Sequence, residues 1–294
     1  MESDLQELAD KAVRFATDSG TQYCDIRAEH YERKEALIEN NETEYTRTSN
    51  DSGIGVRLVK DGTWSFFSIT NPDSFEQIKN SIEKAIKNST HYANNKKNKI
   101  NLHPNSHIKS KINFPVLKNP TIEELISISN ECSKIISNTS RIIKSIINPQ
   151  YTNSSKYFTN SEGSEILQNY TDVTVDMIAI AHESGITQSI NVTEGGRGGI
   201  EQIINKNKIQ NKAQEIASRA ASLIDAKPAK EDKTTVVMNP DFVSLLTHEI
   251  LGHPSEADRV MGKEMAWAGG AWWKGKIGEK IGSEKLNVFD DPTI

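Results

Sequence analysis

The sequence predicts an α+β protein: an N-terminal α/β domain with helices on a mixed or antiparallel sheet, followed by the start of a mostly antiparallel β domain. Three observations favour this class. Apolar residues recur at helical spacing in several separate stretches. Between them lie β-branched and aromatic runs bounded by turn residues. A charged segment containing Pro228 then separates two regions with different patterns.

In the first quarter of the chain, the sequence pattern predicts a helix, four strands and a second helix. The first helix ends near Gly20, and its apolar face consists of Leu5, Leu8, Ala9, Ala12, Val13 and Ala16. Strands are expected over residues 23–31, 35–39, 55–59 and 63–69. Asp61-Gly62 joins the last two, and this dipeptide is typical of a tight hairpin. The second helix begins at Asp73, with Phe75, Ile78, Ile82 and Ile86 on one side.

In the middle of the chain, the sequence pattern predicts a long loop, two helices and four more strands. Residues 88–113 are rich in Asn and Lys without periodicity, which indicates a surface loop. Thr121 and Glu124 form a capping box for a helix that ends near residue 137. Strands are expected over residues 141–147, 151–159, 166–181 and 186–192, with a turn at 160–163. The glycine-rich residues 194–199 predict a flexible loop, and a helix follows over 208–224.

The domain organisation follows from a change in pattern near residue 227. Residues 1–226 are expected to form the N-terminal α/β domain, and residues 227–233 (KPAKEDK) a linker. Residues 234–294 then predict an incomplete C-terminal domain with strands over 234–238 and 286–289. Between these strands, Asn239 and Pro240 are the residues preferred at the cap and the first position of a helix.

Composition and charge exclude several classes of function. The formal net charge is −5, and the basic stretch 96–111 lacks interleaved aromatic residues, so nucleic acid is not an expected partner. No apolar run approaches the roughly 18 residues of a membrane helix. The N-terminus MESDLQELAD does not resemble a signal peptide. Cys24 and Cys132 are too few for a disulfide framework. We therefore expect a cytoplasmic protein without a membrane partner.

The chemistry-bearing motif is residues 247–258, THEILGHPSEAD, on the helix that Pro240 opens. His248 and His253 are candidate metal ligands, because neutral imidazoles bind zinc and leave positions open for water. Glu249 is the candidate catalytic base, since a carboxylate beside a zinc-activated water can accept its proton. The motif predicts a zinc-dependent hydrolase, and the alternative is that these are unrelated residues of one helix.

The spacing of the two histidines differs from that of the common zinc motif. A separation of four residues places both side chains on one face of a helix. Here the separation is five, which on a regular helix turns the side chains roughly 140° apart. A π-bulge near Gly252, or an end of the helix before Pro254, would bring both rings to one metal. We expect one of these distortions.

The motif HEILGHPSEAD resembles the metal site of the TldD/PmbA family of modulator-of-gyrase proteases. Other segments are similar in the same order along the chain, namely YCDIRAE (23–29), GIGVR (53–57), GGRGG (195–199) and VFDDPT (288–293). Because the chain has His-Glu-x-x-x-His, it resembles the catalytic TldD-like subunit. The resemblance implies the two-domain fold, Zn²⁺ as cofactor, and peptides or unfolded protein segments as substrates. It also implies a dimer with itself or with a PmbA/TldE-like paralogue.

One departure from the family pattern concerns the third metal ligand, which the resemblance places at a downstream Cys. This chain has no Cys after Cys132. Either the sequence is a C-terminally truncated fragment, expected to be inactive alone, or another ligand is used. Glu256 and Asp258 are the nearby oxygen donors, although acids at a helix end usually face solvent.

Two other functions and several other residues compete with the zinc peptidase interpretation. The alternatives are a non-catalytic TldE/PmbA-like partner subunit and a zinc hydrolase of a non-peptide substrate. His103 and His107 have ligand-like spacing, but they lie in the predicted loop, where rigid support is absent. Trp267, Trp272 and Trp273 either line a peptide groove or pack in the core.

Overall fold

The computed structural model describes residues 2–95, 99–103, 106–205, 208–263 and 270–289. The chain divides into two compact units, Met1–Lys227 and Pro228–Ile294. The first unit is an α+β structure, as the sequence predicts, and the second carries the His-Glu-x-x-x-His motif.

The first unit contains strands and helices in the order α1, β1–β3, α2, β4, α3, β5–β7, α4 and α5. The strands are β1 (Tyr23–Glu39), β2 (Glu42–Lys60), β3 (Thr63–Thr70), β4 (Lys109–Asn113), β5 (Ile142–Asn160), β6 (Glu165–Glu183) and β7 (Ile186–Arg197). The helices are α1 (Glu2–Asp18), α2 (Phe75–Ala93), α3 (Ile122–Ser137), α4 (Glu201–Ile204) and α5 (Lys208–Leu223).

The described strands form one sheet in the order β3-β2-β1-β5-β6-β4, and β7 also pairs with β6. Every pairing is antiparallel except that of β4 with β6, which is parallel. The Asp61-Gly62 hairpin between β2 and β3 and the capping box of Thr121 and Glu124 on α3 are both confirmed. The sheet is therefore mixed, as predicted.

Two cores lie between this sheet and its helices. The first buries apolar side chains of α1 and α2, and the second buries those of α3 and α5. Strand β1 contributes to both cores from even positions, namely Ile26 and Ala28 in the first and Ala36 and Ile38 in the second. Because alternate residues of a strand point to the same face, both helix pairs pack on one side of β1.

Three strands are longer than predicted. β2 runs from Glu42 to Lys60, although only residues 55–59 were expected in it, because its first half pairs with β1. In β1 and β5, pairs of predicted strands are continuous in the structure. Residues 23–31 and 35–39 belong to β1, and the charged residues between them pair with both neighbouring strands. Residues 142–147 and 151–159 belong to β5, although Pro149 lies between them, and Arg141 lies in the turn before the strand. Pro149 pairs with β6, but the ladder to β1 is interrupted there. The Asn148 side chain instead donates to the Ala36 carbonyl at 2.7 Å. A proline is tolerated where its missing N–H has no ladder partner.

Two loop predictions were also partly wrong. The predicted loop 88–113 contains the last turns of α2 and the whole of β4. The predicted flexible segment 194–199 continues β7 through Arg197. Gly195 is required there by close packing, since a Cβ atom would lie 2.1 Å from the carbonyl oxygen of Val173. These glycines serve strand pairing rather than mobility.

The second unit contains short helical elements in its described part. These are α6 (Pro240–Thr247), a π-turn (His248–Gly252), a 3₁₀ turn (His253–Ser255) and α7 (Ala257–Val260). The strands predicted over 234–238 and 286–289 are absent, because neither segment pairs with another extended segment within the described residues. Backbone hydrogen bonds to a neighbouring strand are what stabilise an isolated extended segment.

Within the described residues, no helix is long and apolar enough to cross a membrane.

Candidate metal centre

Helix α6 carries the motif, and its start is fixed by local sequence. Asn239 is the N-cap, and its side-chain oxygen accepts a hydrogen bond from the Phe242 amide at 2.9 Å. Pro240 follows at the first helical position, where its missing N–H is not needed. The predicted cap is therefore confirmed, and it sets the phase of the helix that reaches His248 two turns later.

The helix widens at the motif itself. Residues His248–Gly252 form a π-turn, and the His253 amide donates to the His248 carbonyl five residues earlier. The two imidazole ring centroids consequently lie 4.3 Å apart, at an interplanar angle of 71°. The predicted distortion near Gly252 is thus confirmed. It brings together two side chains that a regular helix would hold on different faces.

Pro254 gives a physical reason for the distortion. In a regular α-helix the amide of residue 254 would donate to the Ile250 carbonyl, but proline has no N–H. The indole nitrogen of Trp272 donates to that carbonyl instead, at 3.1 Å. The indole nitrogen of Trp273 donates to the Pro254 carbonyl at 2.8 Å. Two neighbouring tryptophans therefore satisfy backbone groups that the end of the helix leaves free.

Glu249 completes a cluster of three side chains that could hold a metal ion. Single donor atoms of His248, Glu249 and His253 all lie within 4.8 Å of one another. The carboxylate oxygen Oε2 of Glu249 is 3.8 Å from Nε2 of His253. Two imidazoles and one carboxylate are a donor set that suits zinc and related transition metals. His248 and Glu249 are exposed and His253 is partly buried, so the cluster is open to solvent on one side.

Glu256 holds the ring of His253 in place. Nδ1 of His253 lies 2.6 Å from Oε1 of Glu256, and the other carboxylate oxygen of Glu256 lies 2.6 Å from Nε of Arg259. A carboxylate only accepts, so this contact favours a proton on Nδ1, and in the neutral ring Nε2 then carries the lone pair on the side of Glu249. The hydrogen bond from His253, together with the charge of Arg259, lowers the pKa of Glu256.

The sequence did not single out Glu256, Arg259 or Trp272 for these roles. The sequence predicts Glu256 as an oxygen donor to the metal or as a surface acid, whereas in the structure its carboxylate contacts the imidazole of His253. The spacing of three residues between His253 and Glu256 is a signal for such a contact on a helical segment. Asp258 lies apart from the cluster, and its carboxylate accepts from the Arg259 amide at 2.8 Å.

The other candidates from the sequence lie away from this centre. His103 and His107 are exposed, and neither belongs to a group of ligating side chains in the part of the chain that the structure describes. Trp267 lies outside the described residues. Cys24 and Cys132 are buried free thiols, and burial raises the pKa of each to about 12. Neither thiol is suited to nucleophilic or metal chemistry in this state.

Family models for three successive domains match this chain. They are described as PmbA/TldA metallopeptidase domain 1 (residues 24–89), central domain (115–224) and C-terminal domain (231–294). The chain belongs to the PmbA/TldD metallopeptidase family. The His-Glu-x-x-x-His motif lies in the part that matches the C-terminal domain of this family.

Curated relatives of this PmbA/TldD family member carry the name metalloprotease. One from Methanothermobacter thermautotrophicus is 26% identical over 100% of this chain and 62% of its own length. Another from Methanocaldococcus jannaschii is 31% identical over 92% of this chain and 58% of its own length. A protein named zinc metalloprotease TldD homolog, from Saccharolobus solfataricus, is 24% identical over 97% of this chain and 60% of its own length. The chain thus spans about three-fifths of these relatives.

Two solved structures have a fold similar to that of this chain. A candidate modulator of DNA gyrase from Bacteroides thetaiotaomicron superposes with a TM-score of 0.75 at 17% identity, covering 94% of this chain and 61% of that one. A second, from Thermotoga maritima, has a TM-score of 0.57 at 16% identity, covering 76% of this chain and 49% of that one. At these identities the likeness establishes the α+β architecture and nothing about activity.

Proposed function

We propose that this chain supplies the metal centre of a zinc-dependent peptidase, with His248 and His253 as metal ligands and Glu249 as general base. The observation that carries the proposal is the convergence of these three side chains within 4.8 Å, across a π-turn. Membership of a metallopeptidase family, and relatives named metalloproteases, support it.

The donor set fits zinc in its chemistry. Catalytic zinc sites use three protein ligands, drawn from imidazole, carboxylate and thiolate, and keep one position open for water. The described cluster offers two of these ligands, the imidazoles of His248 and His253, and places the Glu249 carboxylate beside them as the base. The third protein ligand is not among these three residues. The partly exposed position of the cluster leaves access for a substrate. Zinc bound there would supply Lewis acidity, which lowers the pKa of a bound water to about 7.

The residues of this chain have distinct tasks in the proposal. Glu256 keeps the proton of His253 on Nδ1, so that Nε2 remains a lone-pair donor. Glu249 holds a carboxylate 3.8 Å from that ring and accepts a proton from the attacking water. The same carboxylate then delivers the proton to the amine that leaves when the peptide bond breaks.

The test of these assignments is the Glu249→Gln substitution in the complete enzyme, assayed for peptide hydrolysis and zinc content. We expect turnover to fall by at least 100-fold, since general base catalysis contributes roughly 10²–10⁴-fold. Zinc content is expected to stay near that of the wild type, because the glutamate is assigned as base and not as ligand. Glu279→Gln, at an exposed position outside the cluster, is the control. Parallel loss of zinc and activity would identify Glu249 as the third ligand instead.

The substrate and the assembly are part of the same proposal. We infer that substrates are peptides or unfolded protein segments and that the protein acts as a dimer, with itself or with a PmbA/TldE-like paralogue. Apolar side chains of α6, including Phe242, Leu245 and Leu246, are exposed in the structure and are suited to a protein contact. Light scattering of the purified protein, alone and mixed with the paralogue, tests the assembly. A monomer under both conditions would reject it.

A further inference from the structure

A cavity of about 790 Å³ lies next to the candidate metal centre, within the second unit. Thr247, His248, Leu251 and Gly252 form part of its wall, so one face of the distorted helix borders both the cavity and the cluster. Most of the remaining lining comes from the segment 280–289. A ligand in this cavity would therefore lie directly beside His248.

The lining is mainly apolar and accessible. Six large apolar side chains contribute to it: Leu251, Trp273, Ile281, Leu286, Val288 and Phe289. Leu286 and Phe289 are 55% and 75% exposed, so their apolar surface is available to a ligand rather than buried within the unit. Covering such surface releases ordered water and stabilises a complex with an apolar group.

The charged groups of the lining do not favour a charged ligand. Lys280 and Glu284 both border the cavity, and their side chains form an ion pair at 2.8 Å. One positive and one negative charge cancel at the cavity rim, so neither an acidic nor a basic ligand gains a free counter-charge. The ligand chemistry that matches this lining is aliphatic or aromatic.

We propose that this cavity is a specificity subsite that accepts a large aliphatic or aromatic side chain of the peptide, an inference that rests on the proposed peptidase function. The volume lies within the range of small-ligand pockets and accommodates one such side chain with adjoining backbone. Since His248 borders the cavity, the accepted side chain belongs to a residue close to the bond that is cut. Peptides with glycine or a charged residue at that position bind less tightly.

The experiment measures peptide binding without turnover or metal. Fluorescein-labelled peptides of one Gly/Ser-based sequence, with Gly, Leu, Phe, Glu or Lys at a single central position, are titrated with the Glu249→Gln protein in EDTA. Fluorescence anisotropy gives each Kd. Leu286→Asp places a charge in the cavity, and Leu286→Ala removes apolar surface there. Ile277→Asp is the matched control, because Ile277 is fully exposed and does not line the cavity. Circular dichroism checks that each variant is folded.

We expect the Leu and Phe peptides to bind at least tenfold more tightly than the Gly, Glu and Lys peptides. Leu286→Asp should abolish this preference, Leu286→Ala should reduce it, and Ile277→Asp should leave it intact. Equal affinity for all five peptides, no binding at all, or an equal effect of Leu286→Asp and Ile277→Asp would overturn the subsite. Because no cleavage is measured, a failure of the proposed catalytic roles would appear only in the hydrolysis assay and not in these affinities.

Discussion

The imidazole rings of His248 and His253 lie 4.3 Å apart, although five residues separate them in the sequence. A π-turn produces this geometry, and Pro254 withholds the amide that a regular α-turn would need. The candidate metal centre therefore depends on a local backbone distortion as much as on the ligating residues.

Replacing Pro254 by alanine is expected to weaken metal binding. The substituted residue regains an N–H that can donate to the Ile250 carbonyl, which favours a regular α-turn and rotates the two imidazoles away from each other. We expect zinc affinity to fall at least tenfold, measured by competition with a zinc-sensitive dye. Pro228→Ala, in the segment without regular structure, is the control and should bind like the wild type. Wild-type affinity of Pro254→Ala would show that the proline does not maintain the π-turn.

Removing the carboxylate of Glu256 is expected to loosen His253. In Glu256→Ala the Nδ1 proton loses its acceptor, so the ring is free to rotate and its tautomer is no longer fixed. Loss of such an orienting partner reduces metal affinity roughly 10- to 100-fold. The measurement is again zinc competition, with Glu279→Ala as control. If Glu256→Ala retains full affinity, the contact between Glu256 and His253 has no part in metal binding.

The two cysteines are expected to resist alkylation in the folded protein. Burial raises the pKa of Cys24 and Cys132 to about 12, so the reactive thiolate is scarce at pH 8. Iodoacetamide should modify both only after unfolding in urea, as mass spectrometry would detect. Because unfolded thiols ionise near pH 8.5, the unfolded state binds fewer protons above that pH. The free energy of unfolding should therefore fall as the pH rises from about 8.5 to 12. In the alkylation experiment, rapid labelling of the native protein would contradict the burial of the two thiols.

Two glycines in the sheet region are expected to tolerate no side chain. A Cβ atom at Gly195 would lie 2.1 Å from the Val173 carbonyl oxygen, and one at Gly199 would lie 2.0 Å from the Lys118 carbonyl oxygen. Gly195→Ala and Gly199→Ala should each lower the free energy of unfolding by about 3 kcal/mol or more, as in other strained or overpacked sites. Gly185→Ala is the control, because no atom lies within 4 Å there and only the positive φ opposes the side chain. Gly185→Ala should lower the free energy of unfolding by only about 1 kcal/mol. Equal melting temperatures of all three variants would contradict the packing argument.

Much of the fold could be predicted from the sequence, because helix periodicity and caps are local signals. The capping box of Thr121 and the Asp61-Gly62 hairpin are examples, since each depends on residues within a few positions. The lengths of β1 and β5 could not be predicted this way. Their charged and proline-containing middles extend only because long neighbouring strands supply partners, and such pairing is not visible in local patterns.

In the candidate site, too, features set by local sequence could be predicted, and features set by contacts between distant segments could not. The type and spacing of His248 and His253, with Gly252 and Pro254 beside them, were sufficient to predict a distorted helix. The donation from Trp272 to the Ile250 carbonyl was not predictable, because 22 residues separate the two. The predicted strand over 286–289 is absent within the described residues, and that segment lines a cavity instead. Contacts between distant segments decide these features.

The most direct test of the metal centre is a zinc titration of the purified protein and two double variants. His248→Ala/His253→Ala removes both proposed ligands, and His103→Ala/His107→Ala removes two exposed histidines as a matched control. Competition with a zinc-sensitive dye gives the affinity, and elemental analysis gives the stoichiometry. We predict that the wild type and the control bind one zinc ion with the same affinity, and that His248→Ala/His253→Ala binds at least 100-fold more weakly. Equal zinc binding by all three proteins would contradict a metal centre at His248 and His253.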